Sequence, residues 1–267
     1  MHDVTGRVAI PGAHRRDVSA PDASRNGPVP RLAAKDRSGS AARNDADAPP
    51  PRKAAALHPT YPLLDNYARS PEGVIYQVTY DKFVYDETYI GRAYAAAPRE
   101  AMSNLRFGYV VGSIGHVPKS LLDVGYGGGD FLRVAQRAVP EIYGYDIAPI
   151  YPLHDIPVLD SMFDRPVEVV TFFDSLEHFE DIAVVRDLRA KFVCISLPWC
   201  HYPSNDWFEN WKHRKPNEHL WHFNHQSLTL FMKKMGFELL NFCNIEDGIR
   251  KPDDGLSNIL SAVFAKV

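Results

Sequence analysis

The chain has 267 residues, 45% of them hydrophobic and 24% charged, with a formal net charge of -3, which is a globular composition rather than a fibrous or low-complexity one. No stretch approaches the ~20 apolar residues a membrane helix needs, and the first ten residues lack the apolar centre of a secretion signal. The three cysteines, Cys194, Cys200 and Cys243, form no CxxC pair, so the sequence offers no disulfide framework and suits a reducing, cytoplasmic setting.

Residues 1–56 are rich in Ala, Pro, Arg, Asp and Ser and contain no aromatic side chain, so they lack the means to build a core and are expected to be a disordered tail. They carry ten basic and six acidic residues, leaving twenty basic and twenty-seven acidic ones for the remainder. A body of that charge is a poor general binder of nucleic acid. From Tyr61 the texture changes. Tyr76, Tyr80, Tyr85, Tyr89 and Tyr94 include two pairs four apart, which predicts helices over an amino-terminal segment spanning 57–115, with a further helix from Arg99 to about Val111. Short buried strands are expected at 120–124, 142–145, 157–159, 167–173 and 191–197, a helix at 131–138 and another at 226–235 capped by Gly236, and two last strands at 237–244 and 256–267. Strands alternating with helices predict a parallel sheet covered on both faces.

Between the first of these strands and its helix lies Gly125-Tyr126-Gly127-Gly128-Gly129. Glycines there let backbone approach a ligand where side chains would collide, and the next helix presents unpaired N–H groups. Asp146 ends the following strand 17 residues after Gly129, where a carboxylate can accept hydrogen bonds from ribose hydroxyls. The dinucleotide fingerprint GxGxxG fails because position 130 is Asp, and no Gly-Lys-Ser/Thr of a phosphate-binding loop is present. A ligand without phosphates fits better beside that acid.

The stretch LLDVGYGGGDFL resembles motif I of class I S-adenosylmethionine-dependent methyltransferases, and the resemblance extends over about residues 76–267. EHLWHFNHQSLTLFMKKMGFELL is similar to the corresponding region of the ubiquinone-type small-molecule branch. The resemblance implies a Rossmann-like α/β methyltransferase sandwich over 116–267, with a mixed seven-stranded sheet, helices on both faces and a lid insertion at 199–225. It also implies S-adenosyl-L-methionine as cofactor, bound by Asp123, Gly125, Tyr126, Gly127, Gly129, Asp146, Ile147, Asp160, Ser161 and Asp174. Tyr126 stands where the family usually has a small residue or Cys, which would narrow the amino-acid end of the cofactor site.

Methyl transfer is a displacement at a sulfonium carbon, so the enzyme must position the acceptor and remove its proton. His178, after the fourth strand, and His219, in the lid, are the candidate bases, with core or loop-holding roles as the alternative reading of each. The spacing of Asp174, Glu177 and His178 resembles that at which some ubiquinone-type enzymes hold a divalent cation, but spacing alone favours no metal. Tyr89, Trp207, Trp211, Arg214 and His222 are the candidate acceptor contacts, and Arg106 is open between a cofactor-carboxylate partner and a surface charge. The expected reaction is O-methylation of a small molecule. The alternatives are a nucleic-acid or nucleotide modifier using the basic run 212–215, and a cofactor-binding partner protein without activity.

Overall fold

The computed structural model describes residues 63–85, 99–149, 151–252 and 254–267. In chain order the elements are strands β1 (Tyr67–Arg69) and β2 (Ile75–Gln77), helix α1 (Arg99–Ile114), β3 (Ser120–Val124), helix α2 (Asp130–Ala135), β4 (Glu141–Tyr145), β5 (Val167–Phe173), β6 (Ala190–Pro198), helix α3 (Asn205–Asn210), β7 (Trp221–His222), helix α4 (His225–Lys234), β8 (Phe237–Cys243) and β9 (Ile259–Lys266). Six strands form the main sheet in the order β4-β3-β5-β6-β9-β8. The first four are parallel, while β9 runs antiparallel to β6 and β8 antiparallel to β9.

The near-continuous apolar runs of β3, β5 and β6 follow from burial on both faces. Leu122, Val124, Val170, Phe172, Val193 and Ile195 pack on the α4 side with Leu228, Phe231 and Met232. Their alternates Leu121, Val169 and Cys194 pack on the other side with Tyr109 and Val110 of α1 and Phe131, Leu132 and Ala135 of α2. Helices on both faces are therefore as the sequence predicted. Helix α1 ends where Gly115 takes φ 81 and its N–H closes on the Val111 carbonyl at 2.9 Å. Helix α4 begins with a capping box between Asn224 and Ser227 and stops at Gly236, φ 89. Among the described residues no helix is long and apolar enough to cross a membrane.

Two expectations are corrected. Among the described residues the sheet has six strands rather than seven, because the expected strand at 157–159 is reduced to a single bridge, Gly144 to Val158. Its two ladder bonds run from Gly144 N to the Pro157 carbonyl (3.0 Å) and from Leu159 N to the Gly144 carbonyl (2.8 Å); Pro157 has no N–H to extend them. The helical reading of the Tyr-rich stretch also fails where it is described. Tyr76 lies in β2, which pairs antiparallel with β1 and with β7 to make a separate three-stranded sheet. The turn that joins β1 to β2 contains Ser70-Pro71-Glu72-Gly73, with Gly73 N bonded to the Ser70 carbonyl at 2.9 Å. That turn chemistry overrides the four-residue spacing of the tyrosines. Tyr80 and Tyr85 lie in irregular chain, whereas Tyr89, Tyr94 and the tail 1–56 fall outside the described residues.

Candidate active site

All four parallel strands end at one sheet edge, and the glycine loop follows β3 there. Gly125, Gly127 and Gly129 take φ values of 78, 53 and 75°, the left-handed region that side chains disfavour. A Cβ at Gly125 would stand 2.6 Å from the Ser175 Cβ, and one at Gly129 would collide with Leu153. Ser175 is itself fixed, donating its hydroxyl proton to the Val124 carbonyl at 2.7 Å.

Asp146 closes the loop from the next strand. One carboxylate oxygen accepts from Gly127 N and the other from Ala148 N, both at 2.9 Å. Burial raises its pKa above the usual carboxylate value, opposed by those two N–H groups. Ile147 beside it is 82% exposed, an apolar side chain at the open side of the cradle. Asp123, only 3% exposed, accepts from the Thr171 hydroxyl at 2.7 Å, and burial pushes its pKa up to about 7. Asp160 is exposed, while Ser161 belongs to a turn in which its N–H donates to Asp164 (2.9 Å) and its hydroxyl accepts from Phe163 N (3.2 Å). The Tyr126 ring is buried in the core on the α1–α2 side, with its hydroxyl donating to the Tyr151 carbonyl at 3.3 Å.

Asp174 follows β5 with φ 53 and is held by two arginines. Arg106 Nη2 donates to it at 2.7 Å and Arg250 Nη1 at 2.7 and 2.9 Å. Arg106 also grips the fully buried Glu246 at 2.7 and 2.9 Å, and the Ser196 hydroxyl donates to that same carboxylate at 2.6 Å. Burial alone would raise the Asp174 pKa, but Arg250 and Arg106 outweigh it and hold the group below the ordinary carboxylate range. Arg106 is thus an internal ion-pair partner. Glu246 and Arg250 were not legible as site residues in the sequence.

The two candidate bases meet. The His178 and His219 rings lie edge to face with centroids 4.7 Å apart. His178 Nδ1 shares a 2.8 Å hydrogen bond with the Tyr85 hydroxyl. His219 Nδ1 donates to the His213 carbonyl at 2.8 Å, which leaves its Nε2 as the lone-pair nitrogen. Burial drives the His178 pKa down to about 4 and that of His219 well below its usual value. Beside them Glu177 is 1% exposed, and among the described residues neither of its carboxylate oxygens has a hydrogen-bond partner. Burial, reinforced by Asp174, raises its pKa to about 8. Ligand atoms of Glu177, His178 and His219 all lie within 4.8 Å of one another, an arrangement able to hold a metal ion. Asp174, which the sequence spacing grouped with Glu177 and His178, is engaged by Arg106 and Arg250 instead.

The segment 199–225 is a packed layer. Cys200 N donates to the Phe223 carbonyl at 2.8 Å, and β7 is zipped to β2. Trp207 and Trp211 stack at 5.1 Å between centroids. Arg214 is half-buried. His222, expected at the acceptor, is 3% exposed and wedged against Tyr67, Phe208 and Trp211. Burial among these rings lowers its pKa to about 3. His213 is likewise buried, donating through Nε2 to Asn258 at 2.9 Å, which removes it from the expected basic run 212–215.

A mixed α/β sheet with helices on both faces, and a three-glycine loop closed by an acid at the end of the next strand, define the Rossmann-like methyltransferase architecture. A methyltransferase-domain family matches residues 70–241, more than half of the chain, and the chain belongs to that family: it is a class I S-adenosylmethionine-dependent methyltransferase. No curated protein sequence matches it. Solved structures similar to it include a Burkholderia thailandensis 1,6-didemethyltoxoflavin-N1-methyltransferase, at 11% identity and TM-score 0.49 over 76% of this chain and 99% of that one. An S-adenosylmethionine-dependent methyltransferase from Clostridium acetobutylicum stands at 10% and 0.49, over 67% and 96%. One from Aquifex aeolicus stands at 15% and 0.45, over 69% and 100%.

Proposed function

We infer that the protein transfers the methyl group of S-adenosylmethionine to the oxygen of a small-molecule acceptor, in the manner of the ubiquinone-type branch. The observation that carries the cofactor part of this reading is the glycine loop with Asp146 on the Gly127 amide. In it, the loop backbone would hold the cofactor's amino-acid end, Asp146 would accept from the ribose hydroxyls, and Ile147 would offer an apolar side chain to the adenine. Asp123 and the Asp174 ion-pair cluster hold the ends of β3 and β5 beside the loop. Asp160 and Ser161 are the remaining candidates at the adenine edge.

His219 supports the chemistry best, because its Nδ1 is committed to a carbonyl and its Nε2 keeps the lone pair. That nitrogen takes the proton of the acceptor hydroxyl as the oxygen bonds to the methyl carbon. S-adenosylmethionine, when bound, would supply a methyl group on a positively charged sulfur that leaves with the C–S electron pair as a neutral thioether. The acidic body and the buried position of His213 favour a small neutral acceptor over nucleic acid, and three unpaired cysteines suit the cytoplasm.

A second reading is favoured by one specific observation, the orphaned carboxylate of Glu177. Glu177, His178 and His219 fit a divalent cation, which would supply Lewis acidity to lower the acceptor hydroxyl's pKa. The experiment is a transfer assay on a panel of hydroxylated metabolites, with and without chelator, alongside metal analysis of the purified chain. Turnover that survives chelation but is abolished by His219→Ala supports the base. Metal retained by the wild type and lost in Glu177→Gln supports the cation. No turnover with any hydroxylated acceptor would refute O-methylation, and turnover on RNA or DNA would favour the nucleic-acid alternative.

A further inference from the structure

At the edge where Pro198 of β6 pairs with Ile259 of β9, helix α3 and the chain from Asp254 to Asn258 border an open cleft of about 350 Å³. This is at the small end of the ~300–1,000 Å³ typical of ligand pockets. One wall is aromatic. The Trp207 and Trp211 rings stack with an interplanar angle of 24°, and Trp207 is fixed in orientation because its Nε1 donates to Asp254 at 2.8 Å. The rest of the lining is polar: the carboxylates of Asp206 and Asp254, the amides of Asn210 and Asn258, and the Ser257 hydroxyl, with Lys212 at the rim.

We propose that this cleft binds a hydroxyl-rich saturated ring, a sugar or cyclic polyol, and that this ring is part of the methyl acceptor. An indole face packs against axial C–H groups, while the Asp206 and Asp254 oxygens, which keep lone pairs beyond their internal bonds, can accept from ring hydroxyls. Two carboxylates against a single lysine repel a phosphorylated or otherwise polyanionic ligand. A flat apolar ring would strip water from the two carboxylates without returning a donor to either. The cleft also communicates with the reacting groups. Asn258 in its wall receives the His213 Nε2 bond, and the His213 carbonyl receives the His219 Nδ1 bond. The acceptor part of this inference rests on the transfer reading above, whereas ring binding does not.

The test is titration of the full chain with methyl glycosides of glucose, mannose and galactose, followed by indole fluorescence and ligand-detected saturation-transfer NMR. Quinoline and tetramethylammonium serve as planar and cationic comparison probes. The expected result is saturable binding of at least one glycoside, weakened about tenfold or more in Trp211→Ala and measurably in the surface variant Asp254→Asn. Asp254→Asn decides the matter if Trp211→Ala does not fold. No glycoside binding, binding unchanged in both variants, or a response to quinoline or tetramethylammonium alone overturns the proposal. Glycoside binding by a chain that gives no heat with S-adenosylmethionine leaves the cleft standing and removes the transfer reading; the converse removes the cleft.

Discussion

Replacing Gly125 by alanine separates two effects that the loop geometry imposes together. Alanine at φ 78 costs about 1–2 kcal/mol from the left-handed backbone alone. The new Cβ also stands 2.6 Å from the Ser175 Cβ and 3.2 Å from its Oγ. Ser175 has little room to retreat, because its hydroxyl is committed to the Val124 carbonyl. Overpacking of this kind adds about 1–3 kcal/mol, for a total of about 2–5 kcal/mol. Gly115 is the internal control: its φ is 81, and a Cβ there meets nothing within 4 Å, so Gly115→Ala should cost only the backbone part. Urea denaturation followed by circular dichroism reads the difference as a lower midpoint at unchanged slope. In a Ser175→Gly background the excess at Gly125 should disappear. Equal destabilisation at the two glycines, or an excess that persists without the Ser175 side chain, would refute the close-approach argument.

Glu246→Gln leaves Arg106 short of a fully buried counter-charge, and a loss of about 3–5 kcal/mol is expected in the same denaturation assay; a loss below 1 kcal/mol would mean that the cluster relaxes. Asp123 has a folded pKa of about 7 against an ordinary value of 3.8, so the native state holds its proton longer than the unfolded state does. Its contribution to stability therefore falls as pH rises from about 4 to 7, by at most ~4 kcal/mol, and is level above that. Asp123→Asn should flatten that part of the profile, and an unchanged slope would contradict the assignment. If Glu177, His178 and His219 hold a cation, calorimetric titration of chelated protein with Zn2+ or Mn2+ should show one site per chain that Glu177→Gln weakens by at least an order of magnitude.

The glycine loop and the strands beside it were legible because local signals agreed: an apolar run, glycines, then helical spacing within a few residues of one another. The same holds for α4, whose Asn224 cap and Gly236 stop are both sequence-local. The β1–β2 hairpin was missed because tyrosines four apart imitate a helical face, while the turn through Pro71 and Gly73 carried the decisive information. The charge cluster was invisible for a different reason. Arg106 meets Asp174 and Glu246 across 68 and 140 residues of chain, and no periodicity reports a contact of that range. His178 and His219 were each singled out, but their meeting beside Glu177 comes from the chain crossing back through Leu220, whose N–H donates to the Glu177 carbonyl at 2.9 Å. The seven-strand expectation failed at Pro157, where a missing N–H matters more than the apolar content of the segment.

The central claim is that the loop after β3 and Asp146 hold S-adenosylmethionine, and isothermal calorimetry tests it most directly. The wild-type chain should bind the cofactor and its demethylated product. Asp146→Ala should weaken both by about tenfold to a hundredfold, the loss of charge-assisted bonds to the ribose hydroxyls, and Gly127→Arg, filling the cradle, should abolish detectable heat. Absence of binding by the folded wild type, or affinities untouched by both substitutions, would contradict the account.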